Sequence, residues 1–251
     1  MRTIKLTLQY DGTEFVGWQR QRTGESIQGL LEDALARIEG APVSVHGAGR
    51  TDAGVHALGQ VASVRLQSAL EPETLARALN ANLPASIRVF EAAVVPDDFH
   101  ARFSAVSKTY EYRIWNGPAV PPFVRQYVWH VPNQLDAPAL EHGAAAISGE
   151  HDFAAFQGSG ATVRTTVRRV SSARWQAVQP GGLFVFEIAG DGFLRHMVRS
   201  LVGTLVEIGQ HRRPVEDIAR LLQSTSRAGA GRTAPAQGLI LTRVDYPAPV
   251  N

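Results

Sequence analysis

The chain has 251 residues, 44% of them hydrophobic, which suffices for a core in one large domain or in two of about 100–150 residues each. It contains no cysteine, which excludes disulfides and metal sites built from thiolates. The formal net charge is only +2, but 23 of the 25 cationic side chains are arginines, so the composition permits a nucleic-acid partner, although a genomic bias towards arginine would look the same.

The N-terminal segment is predicted to be a strand. Residues 3–10, TIKLTLQY, alternate polar and apolar side chains up to the turn pair Asp11–Gly12. The segment lacks the apolar centre of a signal peptide, and no later apolar run reaches the roughly 18 residues of a membrane span. We therefore expect a cytoplasmic protein without a membrane partner.

Five further elements complete the first half. Ser26 is the predicted N-cap of a helix over 27–38, whose apolar residues recur at helical spacing and which Gly40 ends. The other elements are strands over 43–47, 60–66 and 87–95 and a helix over 73–83, entered through Pro72. The order strand-helix-strand-strand-helix-strand is the split βαβ pattern of ferredoxin-like and RNA-recognition folds.

The second half is predicted to repeat that order. Its elements are strands over 108–115, 126–131, 167–178, 183–190 and 238–246, helices over 139–147, 193–209 and 215–223, and a hairpin turn at Pro180–Gly181–Gly182. We therefore expect an α/β protein of the α+β type, with two pseudo-repeated halves, 1–104 and 105–251. Antiparallel mixed sheets would leave a central cleft as the ligand site.

One segment between two predicted strands carries an isolated acid. In GAGRTDAGVHALGQVA, residues 47–62, Asp52 lies among glycines and alanines, two residues after Arg50. Gly47, Gly49 and Gly54 give backbone freedom and leave room for another backbone or a ligand. The carboxylate is either a nucleophile or base in a cleft, or a turn residue satisfied by its own backbone amides. GAGRT recurs at 229–233 without the acid, which we interpret as coincidence.

Other familiar sites do not match this segment. It is neither a GxGxxG dinucleotide motif nor a P-loop, because Asp52 replaces the third glycine and no GK[ST] follows. His46, Asp52 and His56 have no recognised metal-ligand spacing. A second acid of the kind used by glycosidases is not evident. None of these patterns therefore predicts a metal or a nucleotide cofactor.

The segment resembles the active-site motif of the TruA family, the pseudouridine synthases that modify the anticodon arm of tRNA. Five other blocks resemble the family in the same order, so that the similarity spans nearly the whole chain: YDGTEFVGWQRQ at 10–21, KTYEYRI at 108–114, GEHDFAAFQGSG at 149–160, FLRHMVRSLVGTLVEIG at 193–209 and TAPAQGLILTRVDY at 233–246. The resemblance implies the pseudouridine synthase fold. It also implies conversion of uridine to pseudouridine at tRNA positions 38, 39 and 40, by a homodimer that needs no cofactor.

The resemblance also implies roles for individual residues. Asp52 is the nucleophile, Arg199 pairs with it, and Arg50 assists base flipping. Tyr110 stacks on the target uracil, with Tyr112 on the same face of its strand. Arg164 lines the cleft, while Arg168 and Arg169 are phosphate ligands or surface charge. Without the resemblance, both tyrosines are more readily interpreted as core residues. The alternative for Arg50 is a structural ion pair with another acid, and the alternative for Arg199 is a solvated helix face that contacts phosphate.

Some roles and functions stay open at this point. Leu194 and Met197 are interpreted as core or pocket wall, and Phe15 and Trp18 either pack under the sheet or touch RNA, with Arg20 and Arg22 extending towards it. A catalytically idle RNA-binding protein with two RNA-recognition-like folds would need no Asp52, but the RNP1 signature is absent. A hydrolase acting through Asp52 would need a metal or a second acid.

Overall fold

The structure is a computed structural model that describes residues 1–160, 163–178, 182–224 and 226–247. The chain divides into two compact units. The first unit comprises Met1–Val106 and the segment from Ile240 onward, and the second comprises Ser107–Leu239. Within the described ranges, no helix combines the length and the apolar character that crossing a membrane requires.

The first unit contains a mostly antiparallel sheet with two helices. Its elements are β1 (Arg2–Tyr10), α1 (Ile27–Glu39), β2 (Val45–Gly47), β3 (His56–Leu66), α2 (Pro72–Asn82) and β4 (Ile87–Val95). Strand β1 pairs antiparallel with β3 on one side and β4 on the other, and β2 pairs antiparallel with β3. Ile4, Leu6 and Leu8 of β1 are fully buried in the core of this unit.

Local signals in the sequence account for these elements. The Ser26 side chain accepts a hydrogen bond from the Gly29 backbone N–H, which caps α1 as predicted. Gly40 ends that helix with a left-handed φ of 72°, which favours glycine. The predicted order of strands and helices in the first half is confirmed, and β3 begins at His56, four residues earlier than predicted.

The second unit combines a mostly antiparallel sheet with three α-helices among its described residues. Its elements are β5 (Ser107–Trp115), β6 (Trp129–His130), α3 (Ala137–Ala145), β7 (Gly149–Asp152), β8 (Val167–Ala177), β9 (Leu183–Gly190), α4 (Met197–Gly209) and α5 (Asp217–Leu222). Strand β9 lies between β5 and β8, antiparallel to both. Strand β7 continues the antiparallel pairing on β8, and β6 pairs in parallel with β5.

Several boundaries in the second half differ from the prediction. Helix α4 begins at Met197 and not at 193, because His196 adopts a left-handed φ of 59° and interrupts helical geometry. The strand predicted over 126–131 is reduced to Trp129–His130. Strand β7 was not predicted, since its sequence, GEHD, lacks the alternation of a half-buried strand. Pro180 and Gly181 of the predicted hairpin lie outside the described residues.

The final strand, β10 (Leu239–Asp245), was predicted with the second half, but from Ile240 onward it groups with the first unit. Ile240 and Leu241 pair in parallel with His56 and Ala57 of β3. Gly59 permits this approach, because a Cβ there would lie 2.3 Å from the Thr242 carbonyl oxygen. The alternation of residues 238–246 predicts a strand but not its partner. The predicted division into halves 1–104 and 105–251 stays a prediction.

Candidate active site

Asp52 lies in the segment 48–55 that joins β2 to β3. Arg50 is exposed and Asp52 is half-buried. Directly after Asp52 the chain turns, with the Val55 N–H donating to the Asp52 carbonyl oxygen at 3.1 Å. Gly54 has a φ of 75° in this turn, a conformation that a side chain would disfavour. The predicted need for backbone freedom is therefore confirmed at Gly54.

A buried polar network fixes the residue before Asp52. The Tyr10 and Thr51 hydroxyl oxygens lie 2.8 Å apart, and the Gln60 Nε2 donates to the Tyr10 oxygen at 3.2 Å. The same Gln60 nitrogen donates to the Gly49 carbonyl oxygen at 2.9 Å. Burial raises the pKa of Tyr10 to about 12, against the lowering effect of its bonds to Thr51 and Gln60. The network therefore contacts the segment at two points, through Tyr10 at the Thr51 hydroxyl and through Gln60 at the Gly49 carbonyl oxygen.

Two glycines let another segment of the first unit pack against the same backbone. A Cβ on Gly12 would lie 2.0 Å from the Val55 carbonyl oxygen, and one on Gly17 would lie 2.7 Å from the Thr51 carbonyl oxygen. Gly17 also has a φ of 105°. The Trp18 N–H donates to the Thr51 carbonyl oxygen at 3.0 Å. The segment 11–18 thus packs directly against the backbone before and after Asp52.

The indole of Trp18 occupies the space beside Gly47, where a Cβ would lie 2.4 Å from the ring. Trp18 is 3% exposed and Phe15 is 5% exposed. Of the two interpretations left open for these rings, packing is therefore confirmed. Arg20 does not extend freely either, since its guanidinium lies 2.9 Å from Glu32 and 2.6 Å from Asp33 on α1.

The histidines near Asp52 have other neighbours. The His46 ring stacks against His100 with centroids 4.9 Å apart. His56 is buried, and its Nδ1 lies 3.1 Å from an Asp11 carboxylate oxygen. Among the described residues, no group of three or more His, Asp or Glu side chains is arranged to hold a metal ion.

In the second unit, Tyr110 and Tyr112 share the buried face of β5, as predicted. Tyr112 is fully buried, and its hydroxyl donates to the Pro235 carbonyl oxygen at 2.8 Å, so it is a core residue. Tyr110 is 7% exposed. Its ring is nearly perpendicular to the Phe193 ring, and the two ring centroids lie 5.2 Å apart. Burial raises the pKa of Tyr112, although Arg199 and Arg232 act in the opposite direction.

Arg199 lies in the first turn of α4 and is bound to the segment 232–234. Its Nε donates to the Ala234 carbonyl oxygen at 2.7 Å, and the Ala234 N–H donates to the Arg199 carbonyl oxygen at 3.0 Å. Gly203 permits this contact, because a Cβ there would lie 1.7 Å from the Arg232 carbonyl oxygen. The sequence does not predict this support, because the two segments lie about 35 residues apart along the chain; Gly203, one turn after Arg199, is the available signal.

The remaining predicted residues are less constrained. Arg164 is exposed in the segment before β8. Arg168 is half-buried on β8, where its Nη1 donates to the Thr165 and Val167 carbonyl oxygens at 2.9 and 2.6 Å. Arg169 lies 3.8 Å from Glu150, an exposed pair. Leu194 and Met197 are both buried, which supports their interpretation as core.

Comparison with known proteins identifies a family and several relatives. A family model described as tRNA pseudouridine synthase matches residues 7–104 and 144–247. The tRNA pseudouridine synthase A of Syntrophotalea carbinolica is 46% identical over 98% of this chain and 97% of its own length. That of Solidesulfovibrio magneticus is 48% identical over 99% of this chain and 93% of its own length. A solved structure, the crystal structure of a Cbf5-Nop10-Gar1 complex, aligns with a TM-score of 0.40 at 13% identity, covering 95% of this chain and 48% of that one.

We expect Tyr10→Phe to destabilise the first unit by about 1–2 kcal/mol, since it leaves the buried Thr51 hydroxyl without this partner. Thr51→Val removes the other end of the bond, so the double variant should lose clearly less than the sum of the two single losses. Urea unfolding of the four proteins measures this coupling. Strictly additive losses would contradict the bond.

Tyr10→Phe should also change how the free energy of unfolding depends on pH in alkaline solution. The folded state holds the Tyr10 proton up to a pKa of about 12, whereas an unfolded tyrosine ionises near 10. This contribution to stability is complete below about pH 10 and is lost as the pH rises from about 10 to 12. Tyr10→Phe should therefore show a shallower loss of stability across that window.

Proposed function

The chain belongs to the tRNA pseudouridine synthase family, and from this premise we propose that it isomerises uridine to pseudouridine at positions 38, 39 and 40 in the anticodon stem-loop of tRNA. The observation that supports the site is the half-buried Asp52 on a segment held by Tyr10, Thr51 and Gln60. Such fixation suits a group that must meet a reacting atom in one geometry.

The reaction rearranges bonds without a net change in composition. The bond between uracil N1 and ribose C1′ breaks, the uracil turns within the site, and C5 bonds to C1′. C5 then gives up its hydrogen as a proton, and N1 gains a proton. Asp52 acts as the nucleophile, at C1′ or at uracil C6, or as the base that starts elimination. In each route the carboxylate must be ionised and close to the nucleotide.

Four further residues complete the proposed site. Arg199 pairs with the Asp52 carboxylate, and the Ala234 carbonyl limits the orientations that its guanidinium adopts. Tyr110 stacks on the uracil. Arg164 lines the cleft, and Arg168 binds a phosphate of the tRNA. Both lie in the second half of the chain, where cationic side chains outnumber acidic ones. This fits recognition of RNA by its shape and backbone. A shallower salt dependence of tRNA binding in Arg168→Ala would support a phosphate contact, and an unchanged dependence would oppose it.

Arg50 assists the flipping of the target nucleotide. Its exposed side chain precedes Asp52 by two residues and can occupy the position that the base leaves. We also propose that the protein acts as a homodimer in the cytoplasm, with tRNA as its partner. Analytical ultracentrifugation of the free protein tests the dimer, and a monomer at micromolar concentration would contradict it.

Asp52→Asn keeps the shape of the side chain but removes its charge. We expect the rate of pseudouridine formation to fall by about a thousandfold or more, because the nucleophile is lost, while tRNA affinity changes little. Release of tritium from C5 of labelled uridine in tRNA, in the presence of EDTA, measures the reaction. Arg199→Met should lose turnover similarly, with partial recovery in Arg199→Lys.

The matched controls are Asp33→Asn, an exposed acid on α1, and Arg195→Met, an exposed arginine next to α4. Both should retain turnover. Retained turnover in Asp52→Asn would remove Asp52 from the mechanism. Free uracil in place of pseudouridine would indicate a hydrolase, and binding of tRNA without any tritium release by the wild type would indicate an RNA-binding protein.

Arg50→Ala should affect a uridine in the stem more than a uridine in the loop. A paired uridine costs a few kcal/mol more to extrude, and Arg50 offsets part of that cost. Turnover compared on two tRNAs, one with its only target in the stem and one with its only target in the loop, measures the difference. Equal losses on both would exclude a role in flipping.

A further inference from the structure

The first unit carries a stack of three rings on its surface. The His46 ring lies against His100 with centroids 4.9 Å apart and planes 30° apart, and the His100 ring lies against Phe103 with centroids 4.4 Å apart. Phe103 ends the stack and is 75% exposed. The Arg102 guanidinium carbon lies 5.6 Å from the Phe103 ring centroid, within range of a weak cation–π contact.

The backbone beneath this stack is held by several hydrogen bonds. The His100 N–H donates to the Ser104 hydroxyl at 3.0 Å, and the Ser104 N–H donates to the His100 carbonyl oxygen at 2.9 Å. The His100 Nδ1 accepts from the Arg102 N–H at 3.1 Å. The Ala101 N–H donates to the Ser63 hydroxyl at 3.1 Å, and its carbonyl oxygen accepts from Tyr246 at 2.7 Å.

This arrangement keeps an apolar ring in water. Burying a phenylalanine side chain contributes about 1.5–3 kcal/mol of free energy. Because Phe103 is mostly exposed in the free protein, most of this free energy would be gained only when a partner covers the ring. Because its backbone is ordered before any partner arrives, little conformational entropy remains to be lost on binding. A rigid, exposed aromatic ring backed by other rings has the form of a platform for a planar ligand.

The stack adjoins the segment that carries Asp52. Ala101, between His100 and Arg102, packs with Ala48 and Val61 in one buried cluster of the first unit. Ala48 begins the segment 48–55, and His46 lies on β2 directly before it. The stack and Asp52 therefore belong to the same unit, on segments that pack together through Ala48 and Ala101.

We propose that Phe103 is a second RNA contact, on which an unpaired base of the bound tRNA stacks, apart from the base that reacts. Arg102 contacts an adjacent phosphate. The inference rests on the proposed function for the identity of the RNA. Two acids, Asp97 and Asp98, precede the residues 100–104 that carry the ring, so the local charge is mixed. Stacking of the base on the Phe103 ring therefore supplies most of the affinity.

Binding of unmodified tRNA transcript to Asp52→Asn protein, in which no turnover is expected, tests the contact. Adding Phe103→Ala should weaken affinity by about 5- to 100-fold, and adding Phe103→Trp should preserve it. Plots of log affinity against log salt should shift without a change of slope for Phe103→Ala, because no charge is removed. Arg102→Ala should reduce the slope by about one.

The matched control is Phe90→Ala. Phe90 lies in the same unit, is 66% exposed and is followed by the exposed Glu91, which would repel a phosphate. Its substitution should change tRNA affinity less than twofold. In Phe103→Trp, addition of tRNA should quench the indole fluorescence beyond the quenching seen with the native tryptophans of the wild type.

Equal affinities for Phe103→Ala and Phe90→Ala would overturn the proposal. An unchanged tRNA affinity together with an altered sedimentation coefficient would also overturn it and assign Phe103 to a protein interface. Tritium release by the wild type measures pseudouridine formation, and so tests the proposed function independently of the Phe103 contact. If it were absent while Phe103→Ala still weakened RNA binding, the enzyme assignment would fail and the RNA contact would stand.

Discussion

A hydrogen bond between two buried hydroxyl groups, those of Tyr10 and Thr51, anchors the residue directly before Asp52. A glycine-rich segment loses more conformational entropy on ordering than others do, so it needs specific contacts to stay in one conformation. Here Gln60 extends the network, and the backbone at Gly12 and Gly17 packs directly on the segment. The small residues around Asp52 thus allow close backbone packing, and this packing orients the only acid of the segment.

In the second unit, a glycine likewise permits close backbone packing next to Arg199. A glycine on α4, Gly203, admits the backbone of Arg232, and the Ala234 carbonyl oxygen then binds the arginine side chain. In both units a residue without a side chain permits a backbone contact that fixes a neighbouring charged group. Such fixation suits the catalytic roles proposed for Asp52 and Arg199, because a group already ordered loses little conformational entropy when it reacts.

Much of this organisation could be predicted from the sequence. Helix α1 has an amphipathic period, a serine N-cap and a terminal glycine, all local signals, and its bounds were predicted to within one residue. The motif around Asp52 singles out this acid as the candidate nucleophile, and that role stays a prediction. The packing of Gly12 and Gly17 on the backbone around Asp52 could not be predicted, because these segments lie about 40 residues apart in sequence. For the same reason the parallel pairing of β10 with β3, and the stack of His46 on His100, became evident only in the structure.

The central claim is that the segment around Asp52 is ordered before RNA binds. Amide hydrogen exchange resolved by residue, in the free protein and with tRNA, measures this most directly. The N–H groups of Trp18, Ala48 and Val55 bond to the carbonyl oxygens of Thr51, Val61 and Asp52, respectively. They should exchange much more slowly than in an unstructured peptide, with little further protection on binding. Exchange at unstructured rates in the free protein, with protection only when tRNA is added, would contradict it.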